Sequence, residues 1–155
     1  MDRRTVDAID RRLLRHLQRD SRRSLRSLAD ELGVSAPTCL RRIRRLQAAG
    51  IIEGYGVRLD AAKLGLAVLA HVEVVLTAAS GPEMRTFERR MQRCAQVLQC
   101  AELAGDVDYL LTVRTGSLQE FADFTTRELA SDRGVRSFRS LLVLRQTKHE
   151  YALPL

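Results

Sequence analysis

The sequence predicts an α+β chain in two parts: an N-terminal winged helix-turn-helix followed by a ferredoxin-like domain of order β-α-β-β-α-β. Three observations predict it. The first is charge. Residues 1–50 hold thirteen Arg against six Asp and Glu, whereas residues 51–155 carry thirteen basic and thirteen acidic residues, so the net +7 lies wholly in the first third. Such a division indicates two domains with different partners, and the basic one suits a polyanion whose phosphates shed counterions when neutralised. The second is a set of three apolar repeats at helical spacing within residues 1–50, each bounded by residues that start or stop helices. The third is the alternation of strand-like and helix-like segments after residue 66. The domains are read as 1–53 (winged helix-turn-helix), 54–65 (connecting strand or linker) and 66–155 (ferredoxin-like domain).

In the first helix Val6, Ile9, Leu13, Leu14 and Leu17 share a face, Asp7 caps the start and Asp10 puts negative charge into the first turn. It ends near Arg19, because Asp20-Ser21 is a poor helix interior. Ser24 caps a second helix with Leu25, Leu28, Ala29 and Leu32, and Gly33 stands at the left-handed C-cap. After the turn Gly33-Val34-Ser35, Ser35 caps a third helix with Pro37 in its first turn, and Gly50 ends it. Two short helices joined by a glycine-containing turn mark a helix-turn-helix. On the third helix Ala36, Cys39, Ile43 and Leu46 form an apolar stripe. Thr38, Arg41, Arg42 and Arg45 are read on the opposite side, flanked by Arg44 and Leu40.

A merely solvated helix mixes both charge signs at i,i+4, yet no Asp or Glu lies between Ser35 and Gly50. The pattern therefore predicts a helix set into the DNA major groove, with arginine forks for guanine edges and phosphates, and Ser35 and Thr38 at the end nearest the backbone. Arg22, Arg23 and Arg26 are read as phosphate contacts. Arg3, Arg4, Arg11, Arg12 and Arg15 either do the same or face water. Residues 51–59, broken by Gly54 and Gly56, read as a small hairpin or wing, and Lys63-Leu64-Gly65 marks the passage to the second domain.

That domain begins with a strand over 67–76. Ser80-Gly81-Pro82 opens a helix with Met84, Phe87 and Met91 inward, and residues 97–103 form the next strand. A turn at Gly105-Asp106-Val107-Asp108 leads to a strand over 109–114. Ser117 and Glu120 form a capping box for a helix carrying Leu118, Phe121, Phe124 and Leu129, closed by Gly134, and residues 138–144 make the last strand. An antiparallel sheet with helices on one face leaves the other to be covered, which predicts a homodimer packed sheet to sheet and two helix-turn-helix units on successive turns of DNA.

Other classes fit poorly. No apolar run approaches the ~20 residues of a membrane span, and the N-terminus leads into a charged segment rather than a signal peptide, so the protein is expected in the cytoplasm, associated with the nucleoid. Cys39, Cys94 and Cys100 are odd in number without metal-like spacing and read as small buried hydrophobes. His16, His71 and His149 lie far apart with no nucleophile motif or phosphate loop, so no enzyme, metal or cofactor is expected. The alternative reading is an architectural DNA binder of the same fold without an effector.

The chain resembles the family of the leucine-responsive regulatory protein and the asparagine-operon activator (Lrp/AsnC, or feast/famine regulators). The resemblance is carried by Val6-Asp7, Asp10, Leu13-Leu14, the run Leu17 to Arg22, Leu28-Ala29, Leu32 to Ser35, Cys39, Arg42-Ile43, Leu46, Gly50 to Ile52 and Gly54-Tyr55. It continues through Val72-Glu73, Cys100, Gly105 to Leu111, Gly134-Val135 and the ending Ala152 to Leu155. It implies a winged helix-turn-helix whose recognition helix begins near Ser35, and a regulation-of-amino-acid-metabolism domain that forms dimers often assembled to octamers. It also implies an amino acid bound between subunits near the loop from Gly105 to Tyr109, and control of amino-acid metabolism or transport genes. The residues suit that effector site: Asp106 and Asp108 offer acceptors to an ammonium and the turn's N–H groups can meet a carboxylate, although Asp beside Gly also simply shapes turns. Glu102 stands where many relatives carry an aliphatic residue. Pointing inward it would disfavour a leucine-like ligand and favour a cationic one; pointing outward it would mean nothing. By the same resemblance the last strand, near Leu141 to Val143, influences the ligand response.

Overall fold

The computed structural model describes residues 6–78 and 80–155, and these divide into two compact units, one of residues 6–58 with 147–155 and the other within residues 59–146. Arg3 and Arg4 lie outside the described residues.

The first unit is three helices, α1 (Ala8–Arg19), α2 (Leu25–Leu32) and α3 (Ala36–Ala48), started by the residues read as caps. Asp7 and Asp10 form a reciprocal capping box on α1: Asp10 N donates to Asp7 Oδ1 at 2.8 Å and Asp7 N to Asp10 Oδ2 at 3.0 Å. Ser24 Oγ accepts from Ser27 N on α2, and Ser35 Oγ from Thr38 N on α3. Gly33 ends α2 at φ 69°, a left-handed conformation in which a Cβ is strained. Leu13, Leu28, Leu32, Cys39 and Leu46 form the core.

Residues 147–155, read with the second domain from sequence, pack in this unit. The Gln18 carboxamide holds the Leu153 backbone from both sides, its Nε2 donating to Leu153 O at 3.3 Å and its Oε1 accepting from Leu153 N at 2.6 Å, while Leu155 packs on the helical core. No strand forms over residues 51–60. The segment read as a hairpin is irregular and, from Glu53 on, exposed. Without a facing segment of the chain to pair with, its glycines leave it no ladder.

The second unit is a four-stranded antiparallel sheet: β1 (Val68–Leu76), β2 (Val97–Glu102), β3 (Tyr109–Thr115) and β4 (Val135–Leu142), in the order β2-β3-β1-β4. Two helices connect the strands, α4 (Gly81–Arg93) and α5 (Leu118–Thr125), the latter ending in a π-helical turn over Thr126–Ala130. This is the expected β-α-β-β-α-β order with both crossovers on one face of the sheet. Strand alternation buries Ala70, Val72 and Val74 of β1 and Tyr109, Leu111 and Val113 of β3 beneath the helices, against Phe87, Met91, Phe121, Phe124 and Leu129. The opposite face carries Leu69, Val75, Leu110 and Leu141 among polar neighbours, including an Arg139–Glu73 ion pair. Ser117 caps α5 as expected, but the Glu120 carboxylate takes the N–H of Gly116 (2.8 Å) rather than that of the cap residue.

Candidate functional site

On α3 the buried side chains are Cys39, Ile43 and Leu46. At about 100° per residue, Arg41 points directly away from that stripe with Arg44 and Arg45 on either side of it, and all three are exposed. Arg42 is not. It lies one step nearer the apolar stripe and turns toward the start of α1, its side chain only 19% exposed. Its Nη1 donates to Asp7 Oδ2 at 2.5 Å and to Asp10 Oδ1 at 2.9 Å, while its Nε is buried without a partner among the described residues. Arg45, half exposed, is drawn the same way by an ion pair with Asp10 Oδ2. The sequence reading of Arg42 as an outward neighbour of Arg41 is thus corrected, whereas Arg45 stays exposed beside Arg41 with part of its guanidinium engaged by Asp10. A boundary arginine reached by a buried carboxylate follows the carboxylate, because an unpaired charge inside the unit costs far more than a paired one.

Asp10, read as a first-turn charge, is therefore the hub that ties α1 to α3. Its side chain is wholly buried and receives one backbone N–H and two guanidinium groups. The backbone N–H of Asp10, and then the Arg42 guanidinium, hold the Asp7 carboxyl below the ordinary aspartate value. The sequence signal for this node was present: an aspartate at the third position of a helix whose cap is also aspartate, level with the apolar face.

Arg23 is corrected in the same way. Its guanidinium, about three-quarters buried, bonds Glu31 (Nη1 to Oε2, 2.8 Å), Ser27 Oγ (2.8 Å) and His16 Nδ1 (3.1 Å), pinning α1 to α2 instead of facing outward. Arg12 is partly engaged, donating to Glu31 O at 2.8 Å. Arg22 is almost fully exposed with a loose 3.8 Å approach to Asp20, and Arg11, Arg15 and Arg26 are exposed. At the head of α3 the Ser35 hydroxyl donates to Thr38 Oγ1 at 2.9 Å, so the two side chains stand together beside the helix's first N–H groups. The outward basic set is therefore Arg41 and Arg44 with half-exposed Arg45 beside them, Ser35 and Thr38 at one end, and Arg22 and Arg26 on α2 and the turn before it.

In the second unit the residues read as an effector site separate. Asp108 is used by the fold: its Oδ2 accepts from Leu76 N at 2.7 Å and its own N–H donates to Val74 O at 3.0 Å, so the carboxylate finishes the β1–β3 ladder where strand pairing runs out. Gly105 and Asp106 lie exposed on the turn. Tyr109 and Glu102, by contrast, line one cleft of about 440 Å³ between α4 and β2, with Glu88, Met91, Gln92 and Cys100. Tyr109 is buried, stacks at 4.9 Å on Phe87 and donates its hydroxyl to Glu88 Oε1 at 2.8 Å. Burial first, and the Glu88 contact second, push its phenol far above the ordinary tyrosine value. Burial, then the charge of Glu88, likewise raises the Cys100 thiol. Glu88 escaped the sequence reading; the signal was a carboxylate directly after the core residue Phe87, on the rim of a buried stripe. Glu102 faces the cleft, which therefore offers two carboxylates and no cation over an apolar floor.

Comparison with known proteins agrees with both units. Residues 6–53 match the family model of a winged helix-turn-helix DNA-binding domain, and residues 69–153 match that of the Lrp/AsnC ligand-binding domain. The chain is 38% identical to the leucine-responsive regulatory protein of Rhizobium meliloti over 143 residues (92% of each chain). It is 37% identical to the Bkd operon transcriptional regulator of Pseudomonas aeruginosa over 150 residues (97% and 98%). Among solved structures it is similar to a transcriptional regulator of Neisseria meningitidis in complex with L-Met (TM-score 0.91, 30% identity, 97% of each chain). It is also similar to an AsnC family transcriptional regulator from Agrobacterium tumefaciens (TM-score 0.90, 30% identity, 96% and 97%).

Proposed function

Since the chain belongs to the Lrp/AsnC family of transcriptional regulators, we propose that its first unit reads an operator in genes of amino-acid metabolism or transport through Arg41 and Arg44, and that its second unit assembles the oligomer and takes up an amino-acid effector. The observation that carries this reading is the outward face of α3: Arg41, Arg44 and Arg45 exposed opposite a buried stripe, on a helix with no acidic residue. Guanidinium forks there fit guanine edges. Ser35, Thr38, Arg22 and Arg26 hold flanking phosphates, which fix register without reading sequence. Arg42, Arg45 and Arg23 support the fold of the reading head.

The sheet face opposite the helices, with half-buried Val75 and Leu110 and exposed Leu141, supports a second copy as its cover, and from there the larger assemblies the family resemblance implies. The effector is assigned to the cleft at Glu102 and Tyr109, with the 105–108 turn at its approach. Glu88 and Glu102, with no cation beside them, favour an amino acid that brings a second positive group. Such a protein works in the cytoplasm, at the nucleoid.

The test is operator binding by fluorescence anisotropy. Arg41→Ala and Arg44→Ala should each weaken binding by ~1–3 kcal/mol and relax preference at one base position, with oligomer size unchanged. Arg26→Ala should weaken binding alike on all sequences. Unchanged affinity in both α3 variants would refute the reading, and an affinity indifferent to sequence in the parent chain would favour the architectural alternative. A thermal-shift screen of the twenty amino acids, repeated with Glu102→Gln, checks the effector: the ligand that raises Tm in the parent should lose its effect in the variant.

A further inference from the structure

We propose that α4 carries a second DNA-phosphate surface, formed by Arg85, Arg89 and Arg93. It rests on the DNA-binding reading of α3 but assigns a role to the other unit. α4 buries Phe87 and Met91 with half-buried Met84 beside them. At 3.6 residues per turn, residues four apart advance about 6 Å and turn by roughly 40°, so the three arginines make one row about 12 Å long on the side directly opposite the buried stripe. All three are exposed. Among the described residues none forms an ion pair with a carboxylate. Their one polar contact of note, Arg89 Nη2 to Thr86 Oγ1 at 3.2 Å, lies on the same outer face.

The other charges of the helix do not relieve the row. Glu83 is exposed in the first turn, not four residues from any arginine of the row and without an ion pair to it among the described residues. Glu88 is turned to the cleft and bonded to Tyr109, and Arg90 lies on the flank, paired with Asp132. Like charges four residues apart oppose helix formation, so a solvated helix normally alternates signs here. The second unit has no general basic excess to explain the row either, since residues 51–155 are balanced in charge. What complements a straight row of guanidinium forks is a regularly spaced line of phosphates, and the chain's own DNA is the polyanion at hand. The occupant is therefore the backbone of DNA that continues beyond the segment held by α3.

The test uses the full-length chain and two mixed-sequence duplexes, one of ~20 base pairs, enough for two half-sites a helical turn apart, and one several turns longer. Affinities are measured across a salt series. In the parent, log K should fall more steeply with log salt on the long duplex than on the short one. The Arg85→Gln, Arg89→Gln, Arg93→Gln triple variant should keep the short-duplex slope and lose about 0.9 of long-duplex slope per missing phosphate contact. The matching triple Arg→Lys variant, which keeps the charges, should keep both slopes. Three results in the Gln variant overturn the proposal: an unchanged long-duplex slope, an equal loss on both duplexes, or an altered oligomer mass, which would assign the row to another copy of the chain. Identical slopes on the two duplexes in the parent sink this proposal alone, whereas no binding to either sinks the α3 reading with it.

Discussion

Replacing Asp10 by Ala should unfold the DNA-binding unit well below the temperature at which the parent unit melts. The carboxylate is wholly buried and serves three donors: the Asp7 backbone N–H, Arg42 and Arg45. Removing one member of a buried ion pair commonly costs 3–5 kcal/mol. Two features of the site reduce this. Arg42 retains Asp7 at 2.5 Å, and Arg45, already half exposed, can turn to water. Loss of one limb of the capping box adds back up to about 1 kcal/mol. The sum is a destabilisation of roughly 2–4 kcal/mol, or some 10–25 °C in the Tm of a unit this small. Asp10→Asn keeps the shape and one acceptor but turns an amide donor toward a guanidinium, so it should fall between. Calorimetry of the full chain, with Arg42→Ala and the double variant closing a mutant cycle, measures both the loss and the coupling. A shift under 2 °C for Asp10→Ala, or purely additive effects of Asp10→Ala and Arg42→Ala, would refute the claim that this carboxylate joins α1 to α3.

Two further outcomes follow from the titrating groups. The Asp7 carboxyl is held below the ordinary aspartate value of about 3.9 in the folded unit, so its contribution is complete above that value and disappears as pH falls through the lower folded one; Asp7→Asn should flatten the acid limb of a Tm–pH curve below about pH 4, and an unchanged limb would contradict the Arg42–Asp7 contact. The Tyr109 phenol is shifted upward by burial and by Glu88, so an ultraviolet titration should show one of the three tyrosines ionising later than free tyrosine, and Tyr109→Phe should remove that late phase while costing roughly 1.5–3 kcal/mol for a hydrogen bond to a charged group.

The local rules written in the chain were enough to place the elements. Caps at Asp7, Ser24, Ser35 and Ser117, the stop at Gly33, and the apolar periodicities of α1 to α5, β1 and β3 are short-range signals that the structure follows, whereas the last strand, read over 138–144, runs over Val135–Leu142. The same rules reached the basic character of α3, because a run of residues free of acid is visible without coordinates. They did not reach the orientation of its arginines. A helical wheel places Arg42 and Arg45 within one step of Arg41, and which of them faces solvent depends on a carboxylate thirty-odd residues away in sequence.

What the sequence determined by itself is the division into a basic helical unit and a charge-balanced sheet unit, with the order of their elements. What only tertiary structure decided is which polar side chains the fold consumes. Asp10 and Arg23 go to joining helices, Asp108 to finishing a strand ladder, and Gln18 to holding the returning tail, leaving Arg41, Arg44 and the Glu88–Glu102 cleft to act on partners. The reason is physical: a buried donor or acceptor must be satisfied by whatever the packing brings beside it, and the pairs that do so here lie from eight to well over a hundred residues apart along the chain.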